Sequence, residues 1–201
     1  MTGTADGGTI DGRTARRERN RSEVLEAALG LVDEGVIDPS VEQLTARSGL
    51  SARSIFRYFD GLDDLRREVI RCHFERVRPM IDPTGPTDGS LDSRIKRFVD
   101  NRIRFNEAIA GPARTAQARA HAAPFIAEDI HFYRQVLDAS VRRHFAPELK
   151  ARPKAEAEDT IALINVLVSF DGWDLMTQDH LRSRAQVRRA WTLAIESLLR
   201  R

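Results

Sequence analysis

SVEQLTARSGLSARSIFRYF, running from Ser40 to Phe59, reads as two short helices joined by a tight turn. Ser40 followed by Gln43 has capping-box chemistry, in which the hydroxyl accepts from an orphan amide and the Gln side chain reaches back. A helix is therefore expected from Val41, with Val41, Leu44 and Thr45 on one face, and Gly49 supplies the left-handed residue that closes a helix C-terminus. Ser51 can cap a second helix. In it Ile55 and Phe59 face inward together, leaving Ala52, Arg53, Phe56 and Arg57 outward. That outward face is cationic and aromatic, and no carboxylate lies between Gly49 and Phe59.

Two helices of about seven residues around a Gly-containing turn form either an ordinary αα-hairpin or a helix-turn-helix, whose second helix enters the DNA major groove. Arginines without acids favour the helix-turn-helix. The dimensions agree, since a helix with its side chains is about 10–12 Å across and the groove about 12 Å wide.

The run GLSARSIFRYF, followed by DGLDDL, resembles the recognition helix and the start of the fourth helix in the tetracycline-repressor (TetR) family. The family's order of Gly, aliphatic, Ser, two variable residues, Thr or Ser, aliphatic, Tyr, a variable residue, His or Tyr, and Phe falls on Gly49 to Phe59. The resemblance in motif covers residues 13 to 78 and is one of architecture beyond them. Two departures stand out. Phe56 replaces a Tyr whose hydroxyl is directed at phosphate, and Leu62 stands where a Lys commonly meets the DNA backbone, leaving Arg66 or Arg67 to compensate.

The resemblance implies an all-α chain: an N-terminal three-helix helix-turn-helix domain, then a C-terminal helical domain for ligand binding and dimerisation. It implies a palindromic double-stranded DNA operator, repression as the output, and a small-molecule effector that shifts the fourth helix. The DNA contacts expected are Ser51, Ala52, Arg53, Ser54, Phe56, Arg57 and Tyr58; from its planar fork and its place near the helix start, Arg53 is expected at a guanine, with a phosphate as the alternative, Ala52 and Phe56 at thymine methyls, and Ser54 and Tyr58 at phosphates.

The 201-residue chain has a formal net charge of +2, so nucleic-acid binding rests on where the arginines lie and not on their total. Residues 1–12, rich in Gly and Thr, are expected as a tail. Arg13, Arg16, Arg17, Arg19 and Arg21 then face the single acid Glu18, ahead of a buried stripe of Val24, Leu25, Ala28, Leu31 and Val32 that Gly35 ends. Cations there oppose the helix dipole, which points to use rather than accident; Arg16 and Arg17 are expected on DNA phosphates. A helix from Leu62 carries Leu65, Val69, Cys72 or His73, Arg76 and Met80 in phase. Residues 13–81 thus form the DNA-binding domain with its linking helix. Asp82 to Ser90, with Pro and Gly but no large apolar residue, is the expected linker.

Residues 90–201 are helical in pattern throughout. Ile95, Phe98, Val99, Arg102, Asn106 and Ile109 form one stripe, expected to break at Gly111-Pro112 before an Ala-rich helix to His121. Pro124 opens the next, and Ala155 to Met176 holds IALINVLVSF, apolar nearly all round. Val187, Trp191, Ile195 and Leu198 stripe the last helix. Together with Leu163, Leu167 and Phe170 they exceed what one subunit can bury, so a homodimer through the two C-terminal helices is expected. Asp171-Gly172-Trp173 also looks like a motif common in the penultimate helix of the family. An effector pocket is expected near Phe105, Ile109, His121, Phe125, Phe132, Tyr133, Asp171, Trp173 and Met176.

Glu128 and His131 are spaced like half of a four-helix di-iron site, but no second Glu-x-x-His pair exists. His121 with His131 leaves a mononuclear metal site conceivable, and Asp171 with Asp174 an acid-base pair; polar lining or capping is the plainer reading of both. Cys72 alone excludes a disulfide framework and a Cys-based zinc site, and reads as packing. No phosphate loop, nucleophile elbow or HExxH occurs, so no catalytic residue and no cofactor are expected. No apolar run long enough to cross a membrane and no signal-type segment appear, and cytoplasmic residence follows as the default. The alternative function is a helical small-molecule-binding protein or metal-dependent enzyme with a relic helix-turn-helix.

Overall fold

The structure, a computed structural model, describes residues 12–36, 39–81, 89–120 and 124–200; the tail, residues 82–88 of the expected linker, and His121 fall outside them. The chain divides into two compact units, Met1–Cys72 and His73–Arg201.

In the first unit α1 (Gly12–Asp33) ends at a turn where Gly35 takes φ +88°. α2 (Val41–Ser48) begins on the capping box: Gln43 N–H donates to Ser40 Oγ, and Ser40 N–H to Gln43 Oε1 at 2.9 Å. Gly49, at φ +70°, closes it and donates to the Thr45 carbonyl. Ser51 then caps α3 (Ala52–Ile55), which is shorter than its sequence suggested. After Ile55 the chain tightens into i→i−3 turns, Arg57 N–H donating to Ser54 O and Tyr58 N–H to Ile55 O. Val24, Leu29, Leu44, Ile55, Phe59 and Leu65 form the core of this unit. α4 (Leu62–Val77) starts in the first unit and ends in the second, so the division falls inside a helix, ahead of the Pro- and Gly-rich stretch.

The second unit continues through a 3₁₀ turn (Arg78–Met80) to α5 (Leu91–Arg119), α6 (Pro124–His144), α7 (Ala146–Lys150), α8 (Lys154–Val168), α9 (Phe170–Asp174), a π turn (Leu175–Asp179) and α10 (Arg184–Leu199). There is no strand among the described residues. Two apolar clusters organise it. The larger takes Ile95 and Phe98 of α5, Phe145, Ile164 of α8, Trp173 of α9 and Trp191 of α10; the smaller gathers Phe74, Val77, Ile81 and Phe105. Cys72 is half-buried against the core of the first unit.

Three sequence expectations are corrected here. The helix does not break at Gly111-Pro112: α5 runs through it. Pro112 removes one helical hydrogen bond, but Ile109, Ala110 and Ala113 are held against the core on either side of it. Second, the apolar run after Ala155 is not one helix. Ser169 lies extended (ψ 162°), donating its hydroxyl to the Val166 carbonyl at 2.8 Å and accepting from Gly172 N–H at 2.9 Å, so one side chain ends α8 and caps α9. Asn106 of α5, buried, donates to the Val168 carbonyl at 3.1 Å and satisfies the backbone that the break releases. Third, Val187, Trp191 and Ile195 do not face outward; all three lie in the subunit's own core, with Leu167 and Phe170 packed there too. The large apolar residues left exposed on α8 and α10 are Leu163, Val166 and Leu193.

Candidate nucleic-acid interface

The outward side of the α2–turn–α3 segment carries Arg53, Phe56 and Arg57, all exposed, with Ala52 half-buried beside them; Ile55 and Phe59 point into the core. Phe56 is 46% exposed. The hydroxyls of Ser51 and Ser54 are 3.0 Å apart and close the first turn between them, Ser51 Oγ also accepting from Ser54 N–H. Tyr58, expected at a phosphate, is not on the outward side. It is 9% exposed, and its hydroxyl accepts from Asn20 of α1 at 2.9 Å.

The cations of the first unit fall into two sets. Some are structural: Arg21 pairs with Glu68 at 2.9 Å and lies over the Phe59 ring, Arg66 pairs with Asp63 at 2.6 Å, and Arg71 pairs with Glu68 at 2.8 Å. Arg47 donates to Glu34 at 2.7 Å and holds that carboxyl below the usual carboxylate range. Arg16, Arg17, Arg19 and Arg53 are exposed and make no hydrogen bond or ion pair among the described residues, while Arg57 rests its guanidinium 5.6 Å from the Tyr58 ring. Guanidinium groups that fold no part of the unit, placed on the first turns of α1 and on α3, are chemically ready for anionic oxygens and for base edges. Leu62, at the position expected of a Lys, packs against the core.

Of the residues expected at an effector pocket, the described ones divide between the two clusters of the second unit and its surface. Phe105 lies in the smaller cluster with Phe74, against which Tyr133 stacks at a centroid distance of 3.8 Å, and Ile109 touches both clusters. Trp173 and Met176 belong to the larger cluster. Asp171 is exposed, accepting from Arg134 at 2.9 Å and from Gln117 at 2.5 Å, and Asp174 pairs with Arg114. Phe132 is exposed on a groove of about 600 Å³ shared with Arg78, Ile81, Val136 and Arg143. His121 and the Phe125 side chain lie outside the described residues. His131 is exposed and meets Gln135 Nε2 at 3.0 Å. Sequence reading missed the roles of Asn106 and Phe74, which depend on helices distant in the chain.

Fold and site together define an all-α protein with an N-terminal helix-turn-helix unit and a helical C-terminal unit. No protein-family profile and no curated protein matches the chain. Solved structures do. A TetR-family transcriptional regulator of Mesorhizobium loti MAFF303099 matches with TM-score 0.71 at 17% identity, over 92% of this chain and 97% of that one. One from Streptomyces coelicolor matches with TM-score 0.72 at 17% identity, over 90% and 80%. A transcriptional regulator of Pseudomonas aeruginosa PAO1 matches with TM-score 0.65 at 20% identity, over 94% and 97%. The chain has the fold of the TetR-family transcriptional regulators over most of its length. No helix among the described residues is long and apolar enough to cross a membrane.

Proposed function

We propose that this chain is a DNA-binding transcription regulator of the cytoplasm, acting as a homodimer on a palindromic operator, releasing it in response to a small molecule, and repressing as its output. The observation that carries the reading is the set of unengaged arginines and the exposed Phe56 on the outward side of a doubly capped helix-turn-helix. Twofold symmetry is supported by the apolar residues of α8 and α10 left uncovered in one subunit, and a twofold dimer reads two half-sites about 34 Å apart.

The effector reading rests on α4. Phe74 and Val77 of this helix lie in the smaller cluster of the second unit, and Leu65 and Val69 lie in the core of the first. A ligand that displaces Phe74 from Tyr133 and Phe105 therefore acts on a helix that both units share. Coupling of about 1–3 kcal/mol changes DNA affinity about 5- to 150-fold. Selection from random duplexes with the purified protein tests the function: an inverted repeat enriched at moderate salt is expected, and no enrichment even at low salt would sink it.

A further inference from the structure

We infer that Arg53 is the residue that discriminates sequence in each half-site, by reading a guanine, with Phe56 as its apolar flank. The inference rests on the DNA-binding reading above and goes further, because the structure sorts the polar groups between Ser51 and Tyr58 by what they already do. The Ser51 and Ser54 hydroxyls are committed to each other and to the cap. Tyr58 is committed to Asn20 and to the core. Arg57 lies along the Tyr58 ring. Arg53 is exposed and engaged with nothing among the described residues, and no carboxylate between Gly49 and Phe59 competes for it.

Base chemistry then selects its partner. A guanidinium is a planar fork of donors with no acceptor, so it needs two acceptors side by side. In the major groove only guanine offers that pair, O6 and N7; adenine sets a donor beside its acceptor, cytosine offers a donor, and thymine a single acceptor next to a methyl group. Phe56, three residues on and therefore a neighbour of Arg53 on the same face, cannot hydrogen-bond at all. A thymine methyl is the one groove feature that suits it. Each half-site should then hold one guanine whose identity matters strongly, beside a position where thymine is preferred for a softer reason.

The test uses the full chain and an operator found by selection, with each half-site position varied through all four bases. For the wild type, replacing the critical guanine should weaken binding about 5- to 150-fold. Arg53→Ala should lose affinity by a similar factor for the guanine-bearing site and become indifferent to that position, keeping the other preferences. Arg57→Ala should weaken all sites alike, and thermal unfolding of both variants should match the wild type. A uniform loss in Arg53→Ala with the guanine preference intact would overturn the inference and make Arg53 a phosphate ligand. So would an enriched motif with no required guanine. A wild-type selection that enriches nothing overturns the DNA-binding reading itself, which is a distinct result.

Discussion

At Gly172 a missing Cβ decides the course of the chain. A side chain there would stand 2.8 Å from the Leu167 carbonyl oxygen and 2.9 Å from that of Val166, backbone atoms that cannot swing aside. The break at Ser169 folds α9 so closely onto the end of α8 that only glycine fits. Gly172→Ala should therefore destabilise the chain by about 1–3 kcal/mol, as overpacking does, read by chemical unfolding. An unchanged midpoint would mean that the break relaxes freely. Glu148 offers a residue-scale test of a different kind. Arg94, buried, donates to both of its carboxylate oxygens and, at 2.9 Å, to the His144 carbonyl. Burial works to raise the carboxyl's pKa, but the Arg94 hydrogen bonds and a backbone one outweigh it and hold it below the ordinary 4.5. A depressed folded pKa means stability present above the unfolded value and lost as pH falls through the folded one. The stability advantage of wild type over Glu148→Gln should thus be constant above pH 4.5 and shrink with acid below it; a gap that ignores pH would show the pair contributes through packing alone.

Elements whose ends carry their own chemistry are legible in the sequence. Ser40 with Gln43, Gly49 and Ser51 lie beside the backbone groups they satisfy, so their geometry follows from local sequence. The break at Ser169 is not legible, because the donor that makes it tolerable, Asn106, sits on another helix far along the chain. Pro112 misleads for the converse reason, since packing on both sides carries α5 through it. Tyr58 differs from its expected role because it lies three residues on from Ile55 and shares its side, so its ring joins the core and its hydroxyl meets Asn20 of α1, a partner distant in the chain. The described residues expected at one pocket divide between two clusters and the surface, because composition alone does not say which helices meet. At this scale α1 makes its own prediction. Its free arginines precede the first buried residue, Val24, so they take no part in the core of the unit. Replacing Arg16 and Arg17 by Ala should weaken binding to all duplexes alike and flatten the salt slope by about 0.9 for each phosphate no longer neutralised. An unchanged slope would leave them as solvent-facing charges.

For the whole molecule the question is which apolar residues a second copy covers. The pattern of α10 alone points to Trp191, but that ring is 1% exposed in a single subunit, inside the larger cluster. Leu193 and Val166, at 64% and 68%, stand uncovered on helices that pack on each other, and Leu163 at 51% lies one turn from Val166. The two positions on α10 should therefore respond oppositely to the same substitution. Trp191→Asp places an unpaired charge in the core and removes a large ring, a loss of at least about 3–5 kcal/mol, and should unfold the second unit. Leu193→Asp should leave the helical circular-dichroism signal and the thermal transition of a folded subunit while lowering the mass seen by light scattering from dimer to monomer. Binding to the full palindrome should fall with it, because two half-sites held by one rigid dimer gain from effective concentration what a single subunit does not. A wild type already monomeric at micromolar concentration, or a Leu193→Asp variant that remains dimeric, would remove α8 and α10 from the interface, and a half-site spacing set by that interface would go with them.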